Sequence, residues 1–156
     1  MEIRIPKALM EGHLELGSRL EEAAGEGGKV GQEANNLMAV MKPHEMREEQ
    51  FALPPLGLLP SLAKGKFDYD MAEVKLMIDT LRAEMPRMQA EHKEILAAAG
   101  RLAVAAIEEG KVQYVRLVEQ LKLHVAEEED VYYPAAILVG AYLETKLGFI
   151  FGTRIP

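Results

Sequence analysis

Four long stretches of the chain repeat apolar residues at alternating steps of four and three, and strand-like alternation is nearly absent. That spacing draws one apolar stripe along each of four helices, and each stripe is buried only by packing against other helices. The first stripe is Leu9, His13, Leu16, Leu20, and the second is Leu37, Met41, His44, Glu48, Phe51. The third reads Val74, Ile78, Leu81, Met85, Met88, His92, Ile95, Ala99, Leu102. The fourth reads Tyr114, Leu117, Leu121, His124, Glu128, Val131, Ala135, Leu138. Each stripe is apolar except at its His and Glu positions. All four His of the chain fall on a stripe, one to a helix.

Punctuation sets the ends of the four stretches. Pro6 suits the first turn of a helix running to Ala24, which the cluster Gly25-Glu26-Gly27-Gly28 ends. The second runs from Val30 to Phe51 and stops before Pro54-Pro55. The segment from Leu53 to Phe67 is rich in Pro, Gly and Leu, which suits a loop that packs back as a cap on the helices. Asp68 or Asp70 suits the N-cap of the third helix, which extends to Glu109 with a kink or break expected at Pro86. Gly110 fits the left-handed position after a helix end, and the fourth helix runs from Lys111 to Lys146 with a second kink at Pro134. The expected fold is all-α: an up-down-up-down four-helix bundle over residues 1–147, its third and fourth helices kinked. A C-terminal tail without helical pattern follows at 148–156.

The polar groups on these stripes set the chemistry. A buried carboxylate without a partner costs on the order of several kcal/mol, and imidazoles relieve that only in part. A single core His is ordinarily a hydrogen-bonded structural residue. Four His with two Glu on the same stripes favour a metal site, because a dication turns every one of these groups into a ligand. The chain has no Cys, so thiolate zinc, iron–sulfur ligation, disulfides and a cysteine nucleophile are excluded. Any metal is therefore held by nitrogen and oxygen.

A short internal repeat carries the same residues. Gly12-His13-Leu14-Glu15-Leu16 aligns with Glu91-His92-Lys93-Glu94-Ile95. His44-x3-Glu48-Glu49, ending at Pro54, aligns with His124-x3-Glu128-Glu129, ending at Pro134. His and Glu four apart lie one turn above each other on one helix face. Two such halves facing each other make a pseudo-twofold site. Two six-coordinate ions offer about twelve positions, of which four His and two bridging Glu fill about eight. A bridging oxide or hydroxide leaves about one open position on each ion. His with carboxylate suits iron or manganese, with zinc chemically possible. The candidate ligands are His13, His44, Glu48, His92, His124 and Glu128, with Glu49 and Glu129 as second choices for the bridges. Glu45, Glu91 and Glu127 read as solvated face charges, or as groups that orient the imidazoles. Tyr114, Tyr132 and Tyr133 near the fourth-helix ligands read first as packing and second as groups that tune the site. Met41, Met85 and Met88 read as core fillers, because a thioether is a poor ligand beside hard carboxylates.

At these residues the chain resembles the hemerythrin-like (HHE cation-binding) domain family, over about Ile5 to Leu143. The resemblance rests on Pro43-His44-Glu45-Met46-Arg47-Glu48-Glu49 and on the block from His124 to Pro134. Hemerythrins are implied to carry a second His one turn away on the third helix and an Asp five residues after the fourth-helix His. Here Met88 and Leu96 stand a turn from His92, and Glu129 stands five after His124. The six-residue set looks instead like that of the iron-centre repair (RIC) proteins. Those are implied to hold a bridged di-iron centre and are linked to nitric oxide and oxidative stress.

The resemblance implies a non-haem di-iron protein that binds or senses a small diatomic ligand, O2 or NO, or handles iron. A di-iron oxidoreductase reducing NO, O2 or peroxide is the alternative, as is an iron–sulfur centre repair or iron-donor protein. With no thiol in the chain, electrons for such a centre come from a partner, an electron-donor protein. Eighteen Lys and Arg against 25 Asp and Glu, a net charge of −7, argue against a nucleic-acid partner. No stretch approaches the roughly 20 apolar residues of a membrane span, and the N-terminus has no signal-peptide pattern. A cytoplasmic location is the expectation.

Overall fold

The computed structural model describes residues 3–68, 71 and 73–150, the side chains of 149 and 150 excepted. Among the described residues every regular element is helical. Helix α1 spans Lys7–Gly25 and α2 Gly28–Arg47, and a wide turn at Glu48–Ala52 follows α2. A 3-10 segment, Pro54–Leu58, and a short α3, Leu59–Leu62, lead away from it. Helix α4 runs from Glu73–Glu108 and is unbroken at Pro86. Helix α5, Val112–Glu127, passes through a second wide turn, Glu128–Tyr132, into α6, Tyr133–Ile150. Contacts join α1 to α2, α2 to α4, α4 to α5 and α5 back to α1, so four long helices close on one another.

The expected punctuation recurs in part. Gly110 ends α4 in the left-handed region at φ 69°, as a residue without Cβ should. Asp68 lies five residues before the first described residue of α4 and closes a turn in which the Met71 N–H meets its carbonyl at 3.1 Å. Asp70 lies outside the described residues. Helical structure also continues past Lys146 to Ile150, so the first residues of the expected tail belong to α6, while 151–156 lie outside the described residues.

The segment from Leu53 onward caps the helix ends. Leu53 and Leu56 are buried with Phe51, Ala52, Leu81, Met88, Tyr133 and Ala136. The N-terminal approach crosses this cap at Gly57, where any Cβ would collide with the Arg4 carbonyl oxygen. A separate and larger core joins Leu16, Leu20, Val30, Leu37, Ile95, Leu102, Tyr114, Leu117 and Leu121. Along the chain each His lies between residues packed in the first group and residues of the second: Leu9 and Leu16 about His13, Met41 and Phe51 about His44, Met88 and Ile95 about His92, Leu121 and Tyr133 about His124. The functional side chains therefore form a polar layer between two apolar cores.

The fourth stripe departs from expectation after Glu128. Val131 and Leu138 are 54% and 68% exposed, and the buried face is Tyr133, Ala136, Val139 and Leu143. The cause is the wide turn, whose hydrogen bond spans five residues and inserts one residue into the helical count. Buried Ala136 and Val139 stand one place beyond the expected Ala135 and Leu138, and Tyr133 stands two beyond Val131.

Candidate metal centre

Four helices deliver one imidazole apiece: His13 from α1, His44 from α2, His92 from α4 and His124 from α5. Glu48 and Glu128 open the two wide turns, one helical turn beyond His44 and His124. His13, His44, Glu48, His92 and Glu128 are buried, while His124 keeps 16% of its side chain exposed. The structure thus brings all six expected residues into one layer.

Their pairing crosses the sequence repeat. His44 lies against His92, ring centroids 4.5 Å apart, and His13 against His124 at 5.1 Å. Each carboxylate spans the two pairs. Glu48 Oε1 is 3.5 Å from His44 Nε2, and its Oε2 is 3.5 Å from His13 Nε2. Glu128 Oε2 is 3.2 Å from His92 Nε2, and its Oε1 lies 2.6 Å from His124 Nε2 and 3.5 Å from His13 Nε2. Donor atoms of His44, Glu48, His92 and Glu128 all fall within 4.8 Å of one another, as do those of His13, His124 and Glu128. Both groups could hold a metal ion, and Glu128 belongs to both.

The hydrogen-bond accounts support that fit. His44 Nε2 and Glu128 Oε1 are fully buried and make no hydrogen bond of acceptable geometry, although both face the other donors. Buried polar atoms are rarely left so, and a cation satisfies both lone pairs at once. The opposite ring nitrogens are tied down. His44 Nδ1 meets Glu91 Oε2 at 2.9 Å, and Arg47 and Arg87 hold Glu91 at 2.9 and 3.1 Å. His92 Nδ1 meets Glu129 Oε1 at 2.7 Å. A carboxylate behind Nδ1 fixes the ring and presents Nε2 to the centre, the usual support of a metal-ligating His. Glu91 thus orients an imidazole, and Glu129 does the same from outside the layer. Glu49 lies 3.6 Å from His13 Nδ1, also on the outer side.

Charge follows the same layout. Burial alone lowers the His13 pKa, but contact with Glu128 and the charges of Glu48, Glu128 and Glu45 outweigh it and raise it to about 9. Burial likewise opposes, and the carboxylates overcome, at His44 and His92, whose pKa values are also raised. Glu128 is held well below the usual carboxylate range: its burial acts upward, and contacts with His124, His13 and His92 prevail. Without metal, the layer neutralises its carboxylates with protons on imidazole.

Tyr133 is the residue that sequence reasoning left to packing. Its hydroxyl donates to Glu48 Oε1 and lies 3.3 Å from His92 Nε2, and its ring stacks beside His92 at 5.8 Å with planes 8° apart. On a strict α-helical count it is off the core stripe, and only the wide turn rotates it inward. Tyr114 sits far from the layer, bonded to Glu26 at 2.7 Å, and Tyr132 reaches Glu127 at 3.3 Å.

The donor set and the four helices define a metal-binding bundle class. A family model, the Hemerythrin HHE cation binding domain, matches residues 7–136, and the chain belongs to that family. Comparisons with the curated proteins and with the solved structures give no match. Among the described residues no helix is long and apolar enough to cross a membrane.

Proposed function

We propose that the polar layer holds two iron ions and binds a small diatomic ligand, O2 or NO. The observation that carries this reading is the span of the two carboxylates between the two imidazole pairs: Glu48 sets one oxygen against His44 and the other against His13, and Glu128 sets one against His92 and the other against His124 and His13. One ion would be held by His44, His92 and an oxygen of each Glu, the other by His13, His124 and the remaining oxygens. An oxide or hydroxide would complete such a centre, and an electron-donor protein would supply its electrons. The up-down-up-down course of the helices and bends at Pro86 and Pro134 belong to the same proposal, supported by the closed ring of helix contacts.

Iron supplies open coordination positions and accessible oxidation states. The chain supplies the rest. Glu91 and Glu129 hold two imidazoles in the tautomer that aims Nε2 inward. The apolar cores on either side exclude bulk water, which strengthens every charge interaction in the layer. Anaerobic loading with iron(II), metal analysis, then addition of O2 or NO tests the reading. About two iron per chain and a changed absorption spectrum are expected. An iron-loaded protein with an unaltered spectrum would rule out diatomic binding. Catalytic turnover with an electron donor would instead mark an oxidoreductase.

A further inference from the structure

We propose that the Tyr133 phenol oxygen is itself a metal donor, completing the His44 and His92 side of the centre as a phenolate. The inference rests on the two-ion reading above and extends it to a residue outside the His and Glu set.

Three observations support it. The first is spacing. Donors bound at about 2.1 Å and at right angles on one ion lie about 3 Å apart. The Tyr133 oxygen is 3.3 Å from His92 Nε2, and this matches the 3.2 Å between His92 Nε2 and Glu128 Oε2. The same oxygen touches Glu48 Oε1, which faces His44. It therefore reaches two of the four donor residues of that group, His92 and Glu48.

The second is the repeat. Glu48 and Glu128 open equivalent wide turns, closed by the N–H of Leu53 and of Tyr133, each directly before a proline. Both side chains are about 1% exposed, in the same apolar cluster. In the first half a Leu fills this position, so packing alone does not require a hydroxyl in the second.

The third is chemical type. A phenolate is a hard oxygen donor that suits oxidised iron beside imidazole and carboxylate. On binding, the phenol O–H bond breaks, its proton leaves to water, and the oxygen lone pair forms the bond to iron. No electron changes hands. The centre then keeps one open position, on the His13 and His124 side.

The test uses the full chain loaded with iron(II) and then oxidised in air. The expected result is a phenolate-to-iron(III) charge-transfer band, with tyrosinate ring vibrations in the resonance Raman spectrum excited into it. Both signals should vanish in Tyr133→Phe while iron content stays at that of the parent, and both should persist in Tyr132→Phe. An iron-loaded parent without these signals, or a Tyr133→Phe variant that keeps them, overturns the inference and leaves the two-ion reading standing. A chain that takes up no iron overturns both. Circular dichroism of Tyr133→Phe confirms that lost signals come from a folded protein.

Discussion

His44 and His13 enter the same layer with different support behind their rings. Glu91, itself gripped by Arg47 and Arg87, holds His44 Nδ1, whereas His13 Nδ1 is buried without a hydrogen bond and has Glu49 no nearer than 3.6 Å. Removing the Glu91 carboxylate frees the His44 ring to rotate. Glu91→Ala should therefore weaken iron binding by about 10- to 100-fold in competition with a chelator. Glu49→Ala, tested in the same way, should have the smaller effect. The imidazoles also tie stability to pH. His13 rises on folding from an ordinary 6.5 to about 9, and His44 and His92 move in the same direction. Their protons stabilise the metal-free fold fully below pH 6.5, and that contribution is lost as pH climbs through 9. Glu128, depressed on folding, adds stability that is lost as pH falls below the usual carboxylate range. The Tm of the metal-free chain should consequently be lower at pH 9 than at pH 6, by at least about 5 °C on a scale of roughly 2–4 °C per kcal/mol. Iron binding should run the opposite way and tighten as pH rises, because the ion competes with those protons. A metal-free Tm that rises between pH 6 and pH 9 would contradict this charge layout.

Wide turns decide which residues the helices bury. In the unbroken helices the four-and-three spacing marks the core well: Leu16, Leu20, Leu37, Ile78, Leu81, Ile95, Leu102, Leu117 and Leu121 are all buried. The same spacing finds the four His and both Glu, because each lies before a wide turn or on a helix without one. It misassigns Val131 and Leu138 and passes over Tyr133, because one inserted residue after Glu128 rotates everything downstream. Proline alone does not announce that insertion. Pro54 and Pro134 follow such turns, yet Pro43 and Pro86 sit inside ordinary α-helix. The cross-pairing of His44 with His92 was equally hidden, since a repeat shows which residues correspond but not which of them face each other. The shifted register has a direct check. Leu138→Gln should change stability by no more than about 0.5 kcal/mol, as an exposed substitution does. Val139→Asp, which buries an unpaired carboxylate, should cost at least about 3 kcal/mol in denaturant unfolding. An unshifted helix would reverse that order.

At the scale of the whole molecule, the polar layer is sealed by apolar cores at both ends and opens at one side. His44 and His92 are both buried, and His92 stacks on Tyr133, which packs with Leu53 and Leu56 of the cap. His124 alone among the imidazoles keeps appreciable exposure, and it lines a cleft of about 180 Å³ with Gly12, Glu15, Leu16, Gln120 and Glu127. The proposed diatomic ligand needs little room, so this cleft would be its short path from water to His124. Gly12 keeps it open: a Cβ there meets nothing within 4 Å, so a larger side chain fits without disturbing the helix and projects into the free space. Gly12→Phe should then leave iron content and Tm near those of the parent, because it touches no donor and sits on the surface of α1. It should slow NO association with the reduced, iron-loaded protein by about tenfold in stopped-flow absorption, corresponding to about 1.4 kcal/mol on the entry barrier. Equal association rates would mean that the ligand enters elsewhere. The obvious alternative, opening of the Leu53 to Leu62 cap, would then show as a rate increase when Leu56→Ala loosens its packing. One substitution acts at the open side of the layer and the other at its capped end, and together they locate the entrance by kinetics alone.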